Sequence, residues 1–182
     1  MCGGHNQDPR HPRRTSRVRA AGLTVLGLTL CLGASGAAAE PVTLDAILTT
    51  SDSISLGFKD DQRHFLTLIL REGSATGRGL FEGAKVVEYG MHDVTNGDSG
   101  TASGYLEVTT TGGDIAYFRW SLRAFFVAEP DGKTRPINNG HWELAGGTGQ
   151  FAAMRGVGTM LIEFVNKTDR RYLLDGDIAP AP

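Results

Sequence analysis

Beyond residue 40 the chain holds no window with the i, i+3, i+4 apolar spacing of a helix; apolar and polar residues alternate instead. Clusters of Gly, Asn, Asp and Ser at 60–61, 73–79, 96–100, 112–113, 131–132 and 138–140 divide it, and apolar or alternating runs fill the gaps. This spacing predicts strands over 42–49, 64–71, 84–94, 102–110, 114–128, 140–145, 157–165 and 171–178. The class is all-β, and both a sandwich and a barrel accommodate it. Residues 40–182 form one domain without internal repeats, long enough to bury a core of its own.

The strand over 114–128 is the most informative. One parity reads Ala116, Phe118, Trp120, Leu122, Ala124, Phe126 and Ala128, wholly apolar with large and small side chains mixed; the other reads Ile115, Tyr117, Arg119, Ser121, Arg123, Phe125 and Val127. One face is buried and the other partly solvated. In a barrel wall, Phe118, Trp120 and Phe126 either fill the interior or line a ligand cavity. Trp142 and Phe151 join them as candidate ligand-binding residues, and Leu66, Leu68, Leu70, Val87, Tyr89, Met91, Leu106, Val108, Leu144, Met160, Ile162 and Phe164 are further candidates for the interior. Apolar residues on both faces also make the outer one a candidate interface.

The first 39 residues have the form of a cleavable signal peptide. A polar head carrying Arg10, Arg13, Arg14, Arg17 and Arg19 precedes an apolar run over 21–33, and Ala37-Ala38-Ala39 offers an A-x-A cleavage site before Glu40. The run is too short for a membrane span, which needs about 20 residues, so no membrane anchor is expected. The expected destination is the periplasm or the exterior. Five of the 18 Lys and Arg and one of the 20 Asp and Glu precede Glu40, leaving 13 against 19 and a formal charge of −6. That balance argues against a nucleic-acid partner. Cys2 and Cys31 also lie in the leader, so the remaining chain carries no thiol or disulfide. With His64, His92 and His141 its only histidines, and no H-x-x-x-H or H-E-x-x-H spacing, no metal site is expected.

Near the end of the chain runs Gly146-Gly147-Thr148-Gly149-Gln150-Phe151-Ala152-Ala153-Met154-Arg155-Gly156. So many glycines demand backbone conformations that other residues avoid, and Phe151 supplies an apolar plug. A tight corner between two strands is expected, with Gly146, Gly147, Thr148, Gly149 and Gly156 as its structural residues and a short turn or single helical twist over 150–154. Gly147 to Ala152 also satisfies the loose G-x-G-x-x-A dinucleotide fingerprint. That motif needs a long following helix, which Gly156 and Gly158 interrupt.

Candidate chemistry rests on polar residues able to reach an apolar interior. Glu88 and His92 share a parity on one predicted strand, His141 and Glu143 on another, and Glu163 and Arg155 flank the glycine corner. Histidine suits proton transfer near neutrality, and a carboxylate in an apolar pocket can act as an acid. Arg155, Glu143, His141, Glu88 and His92 are therefore the candidate catalytic residues. No G-x-S-x-G or cysteine points to a nucleophile.

The Gly-Gly-Thr-Gly-x-Phe-x-x-x-Arg-Gly run between two late strands resembles the motif of the allene oxide cyclase and dirigent-like β-barrels, most clearly over 104–159. The resemblance implies an eight-stranded antiparallel β-barrel, no cofactor, assembly as a homo-oligomer, commonly a trimer, and a small apolar or phenolic molecule as partner. It carries Arg155 over as the motif arginine, whereas Gln150 departs from the acidic residue that follows the glycines in some dirigent-like members. Two readings stand: an exported barrel that binds such a molecule unchanged, and a cofactor-independent cyclase, isomerase or stereo-directing protein. A filled interior would favour a structural role instead.

Overall fold

The computed structural model describes residues 38–182; the signal peptide expected over 1–39 lies outside them except for its last two residues. Eight strands follow one another: β1 (Glu40–Gly57), β2 (His64–Ala75), β3 (Lys85–Thr95), β4 (Ser99–Thr109), β5 (Ile115–Ala128), β6 (Thr134–Gly147), β7 (Met154–Phe164) and β8 (Asp169–Pro180). Each pairs antiparallel with the next, and β8 closes on β1. The fold is thus an all-β, up-and-down antiparallel barrel. Closure gives every strand a partner on both sides, β6 and β7 over the short stretch Asn139–Glu143 against Val157–Leu161.

Most strands run beyond their predicted bounds, β1 and β6 furthest. β1 continues through the Ser-rich stretch to Gly57 with a bulge between Thr50 and Asp52, and β6 begins at Thr134, so the cluster Asn138-Asn139-Gly140 lies inside a strand. Partners on both sides outweigh its turn preference. Gly140 pairs with Leu122 on β5 and Met160 on β7, while the buried Asn138 carboxamide donates to the Ile162 carbonyl at 3.2 Å.

Inside, β5 contributes its wholly apolar parity, as do Leu106 and Val108 from β4, Trp142 and Leu144 from β6, and Met160 and Ile162 from β7. On β2 and β3 the parity differs from expectation. Phe65, Thr67, Ile69 and Arg71 face inward from β2, and Val86, Glu88 and His92 from β3; Leu66, Leu68, Leu70, Tyr89 and Met91 belong to the outer face, and Val87 shares their parity yet is buried as expected. Both parities of these strands are apolar enough to be buried. Arg71 and Glu88 are cross-strand partners that share whichever face they take, and only inside the barrel do they reach Tyr172.

The interior is filled at one end and hollow at the other. The filled end holds Phe118 against Trp142 edge to face at 5.1 Å, Phe81 from the β2–β3 connection against Phe118 at 5.5 Å, and Phe151 against Phe81 at 5.6 Å. Burying an apolar side chain of this size contributes roughly 1.5–3 kcal/mol. The glycine corner builds this end. Thr148 exchanges hydrogen bonds with Ile115 through its backbone N–H and hydroxyl oxygen, a single 3-10 turn spans Gly149–Phe151, and Phe151 drops into the barrel mouth. Gly149 has φ +51°, and a Cβ there would fall on the Asp114 carboxylate, which accepts the Gln150 N–H at 3.1 Å.

Candidate functional site

The hollow end contains a cavity of about 510 Å³. Phe65, Ile69, Val94, Leu122, Ala124, Phe126, Pro136, Ile162 and Phe164 form its walls; Arg71, His92 and Asn138 bring polar atoms to it, and Arg170 stands near the β7–β8 turn. The volume falls within the usual span of small-molecule sites, roughly 300–1,000 Å³. Phe126 and Ala124 share the β5 parity that fills the other half with Phe118 and Trp120. Smaller residues on β4 and β5, Ala102 and Ala124, leave the space open.

Beneath the walls lies a network of charged and polar side chains. Arg71 Nη1 donates to Glu88 Oε2 at 2.7 Å and to the Tyr172 hydroxyl at 3.1 Å, and Arg71 Nε donates to Thr50 Oγ1 at 3.2 Å. The Tyr172 hydroxyl donates in turn to Glu88 Oε2. His92 Nε2 lies 3.2 Å from Glu88 Oε1. Glu88 and Tyr172 are fully buried, and Arg71 nearly so. Such a carboxylate is tolerable only because both oxygens are engaged. Burial alone would raise its pKa; the hydrogen bond to His92, the Arg71 charge and the Tyr172 hydroxyl together outweigh it and bring the carboxyl below its ordinary value. Tyr172 is pushed well up by burial and by the neighbouring Glu88 charge, so it remains a hydroxyl donor at neutral pH.

The strand periodicity explains how Glu88 reaches His92. Both face inward from β3 with Gly90 between them, and the missing side chain opens the path: a Cβ at Gly90 would fall on Glu88 Oε1 and stand 3.1 Å from His92 Nε2. An ionised carboxylate only accepts, so the imidazole hydrogen belongs on Nε2 and a neutral His92 keeps a lone pair on Nδ1. The ring also packs edge-on to Trp120 at 6.0 Å. A cavity-lining imidazole oriented by a buried carboxylate can accept and return a proton.

Of the candidate catalytic residues, the structure brings Glu88 and His92 together at the cavity. The other three stand on the outside of the barrel. Arg155 is exposed and donates to the Met154 carbonyl at 2.6 Å; Glu143 pairs with Arg119 at 2.5 Å; His141 is exposed and lies 3.2 Å from Ser121 Oγ. Of the candidate ligand-binding aromatics, Phe126 lines the cavity, while Phe118, Trp120, Trp142 and Phe151 pack the filled half. Arg71, Tyr172, Arg170 and Asn138 were not singled out from sequence. The alternation that sends Tyr172, Leu174 and Ile178 inward from β8 also points Arg170 inward, and that was the available signal. Among the described residues no group of three or more His, Cys, Asp or Glu side chains is placed to hold a metal.

The chain matches no protein-family model and no curated protein. Among solved structures, the pterocarpan synthase dirigent protein aligns with a TM-score of 0.51 at 11% identity, over 92% of this chain and 100% of that one. The fold is that of a dirigent-like barrel. A protein of unknown function from the DUF3224 family of Shewanella oneidensis MR-1 aligns with a TM-score of 0.47 at 17% identity, over 80% of this chain and 99% of that one. At 11% identity the likeness to the dirigent protein is one of fold, and function has to be argued from the residues of the cavity. In this dirigent-like barrel those residues are an apolar wall, a buried His-Glu-Arg-Tyr network and a second arginine.

Proposed function

We propose that this protein is an exported dirigent-like barrel that holds a small, largely apolar or phenolic molecule in its hollow half, without a cofactor. The observation that carries this reading is the cavity of about 510 Å³, walled by apolar side chains and closed beneath by the packed half of the barrel. Native mass spectrometry of the protein purified from its own host, followed by denaturing extraction, tests it. A co-purifying apolar molecule is expected, and Ala124→Phe, which fills the cavity from β5, should exclude it. A protein that emerges empty and takes up no apolar probe would overturn the reading.

Export is supported by the basic head, apolar run and A-x-A site before Glu40. N-terminal sequencing of the native protein should begin at Glu40. Self-association is supported by an apolar belt on the outer face of β1 to β4, where Ile54 pairs with Leu68, Leu68 with Met91, and Tyr89 with Tyr105. A second copy of the same chain is the occupant proposed for this belt, in keeping with the trimers common among the barrels its glycine motif resembles.

A second reading, a cofactor-free isomerase, cyclase or stereo-directing protein, is favoured by the His92–Glu88 pair. A proton taken by His92 Nδ1 would create an imidazolium facing a carboxylate already held by Arg71 and Tyr172, and the same ring could return the proton elsewhere on the bound molecule. Conversion should then disappear in His92→Gln while the molecule still binds. If the extracted compound is released unchanged by wild-type protein under all conditions, the binding reading stands alone.

A further inference from the structure

The fixed charges around the cavity do not balance. Arg71 and Arg170 both line it, on inward positions of β2 and β8 that flank β1, where Thr50 pairs with Arg71 and Leu48 with Arg170. Glu88 neutralises Arg71. Arg170 has no such counterpart: among the described residues it forms no ion pair. Its hydrogen bonds within the protein, to the carbonyls of Asn166 and Asp169 at 2.9 Å, both leave from Nη1, and its plane rests 3.9 Å from the Phe164 ring centroid. Among the described residues Nε and Nη2 have no partner. The other polar groups lining the space, Thr67, Asn96, Thr101 and Asn138, are neutral, and His92 adds no negative charge.

A half-buried guanidinium without a counterion, beside a second guanidinium, is an unfavourable arrangement for the empty protein. Burial and the Arg71 charge both lower the Arg170 pKa, outweighing the opposing Tyr172, Glu88 and Asp169 contributions. An anion between the two arginines relieves that repulsion, and a planar carboxylate matches the guanidinium fork. We propose that the cavity selects an anionic amphiphile, a molecule whose apolar body occupies the walls around Phe65, Leu122, Phe126 and Ile162 and whose single carboxylate is held by Arg170 with Arg71 behind it. This rests on the cavity being a ligand site and adds the chemical class of the ligand. The Phe164 stack and the two carbonyl contacts keep the Arg170 side chain positioned before the ligand arrives, which limits the ordering cost of binding.

Decanoate, decanol and methyl decanoate share an apolar chain and differ in the head group. Calorimetry of the purified full-length chain with each should show decanoate binding at least about tenfold more tightly than either neutral analogue, a preference that corresponds to one charge-assisted contact. Added salt should weaken decanoate and leave decanol unchanged, a readout taken on the wild-type protein alone. In Arg170→Gln the preference should shrink to about twofold or less while decanol affinity holds, and Arg170→Lys should retain part of it. Equal binding of the acid and the alcohol by wild-type protein, or an undiminished preference in a folded Arg170→Gln, would overturn the anion selectivity and leave the cavity reading intact. Failure of all three compounds to bind would overturn both.

Discussion

Three buried residues concentrate the cost of building this site. Breaking a buried ion pair by removing one partner costs about 3–5 kcal/mol, whereas replacing the whole pair with apolar groups is often neutral or stabilising. Arg71→Met alone strands the Glu88 carboxylate and should destabilise the protein by that amount in urea titrations. The triple change Arg71→Met, Glu88→Leu, Tyr172→Phe removes every partner together and should recover most of the loss. If it does, and ligand uptake is still abolished, the network is retained for the site and not for the fold. The pH dependence follows from the same carboxyl. Its folded pKa lies below the ordinary 4.5, so its stabilisation is complete above that value and is lost as pH falls through the folded value. Midpoints measured from pH 7 downward should fall below about pH 4.5, and Glu88→Gln should flatten that fall. Gly90→Ala offers a subtler probe. Its methyl group would intrude between Glu88 and His92, and overpacking of this kind costs typically about 1–3 kcal/mol.

At the scale of elements, the connection between β6 and β7 acts as a stopper. Phe151→Ala empties the place beside Phe81 and should cost about 3–5 kcal/mol, with the filled half most exposed to hydrogen exchange. Arg155→Ala, at an exposed position of the same motif whose side chain bonds only the Met154 carbonyl, should stay within about 0.5 kcal/mol of wild type. These opposite expectations for neighbouring residues show what the sequence could and could not convey. The corner itself was legible, because only glycine tolerates the φ of Gly149 and its crowding by Asp114, and a lone phenylalanine among glycines needs burial. The β5 face was legible because one parity is apolar throughout. On β2 and β3 both parities mix apolar and charged residues, and the inward one includes Arg71 and Glu88, so the usual rule pointed to the wrong face. The site was hidden for a related reason. Arg71 and Glu88, 17 positions apart, are cross-strand partners of β2 and β3, but Tyr172, 84 positions beyond Glu88, joins them only when β8 closes on β1. Glu88 and His92 were visible as a pair because a strand keeps i and i+4 on one face.

The parity of β2 and β3 also shapes the molecule as a whole. By turning their arginine, glutamate and histidine inward, these strands send Leu68, Tyr89 and Met91 outward, where they are 50%, 53% and 46% exposed. Ile54 and Leu56 of β1 and Tyr105 of β4 extend the same surface, at 72%, 55% and 43%. Isolated exposed apolar residues are ordinary on a protein surface, but these are cross-strand neighbours on four adjacent strands, and this continuous patch is where the proposed second copy would sit. The polar interior and the apolar exterior are thus two results of one register choice: the wall that gives the cavity its chemistry gives the barrel a surface to bury. A cyclic assembly would cover the belt while leaving the mouth beside Arg170 and Phe164 free, since the mouth lies at the strand ends and the belt along their outer faces. Sedimentation at micromolar concentration should show an oligomer for the wild-type chain and a monomer for Leu68→Glu with Met91→Glu. Because both side chains point away from the cavity, the double variant should keep its affinity for decanoate. A monomeric wild type would remove the belt's proposed partner. A monomeric variant that no longer binds would instead mean that neighbouring copies shape the cavity across the wall.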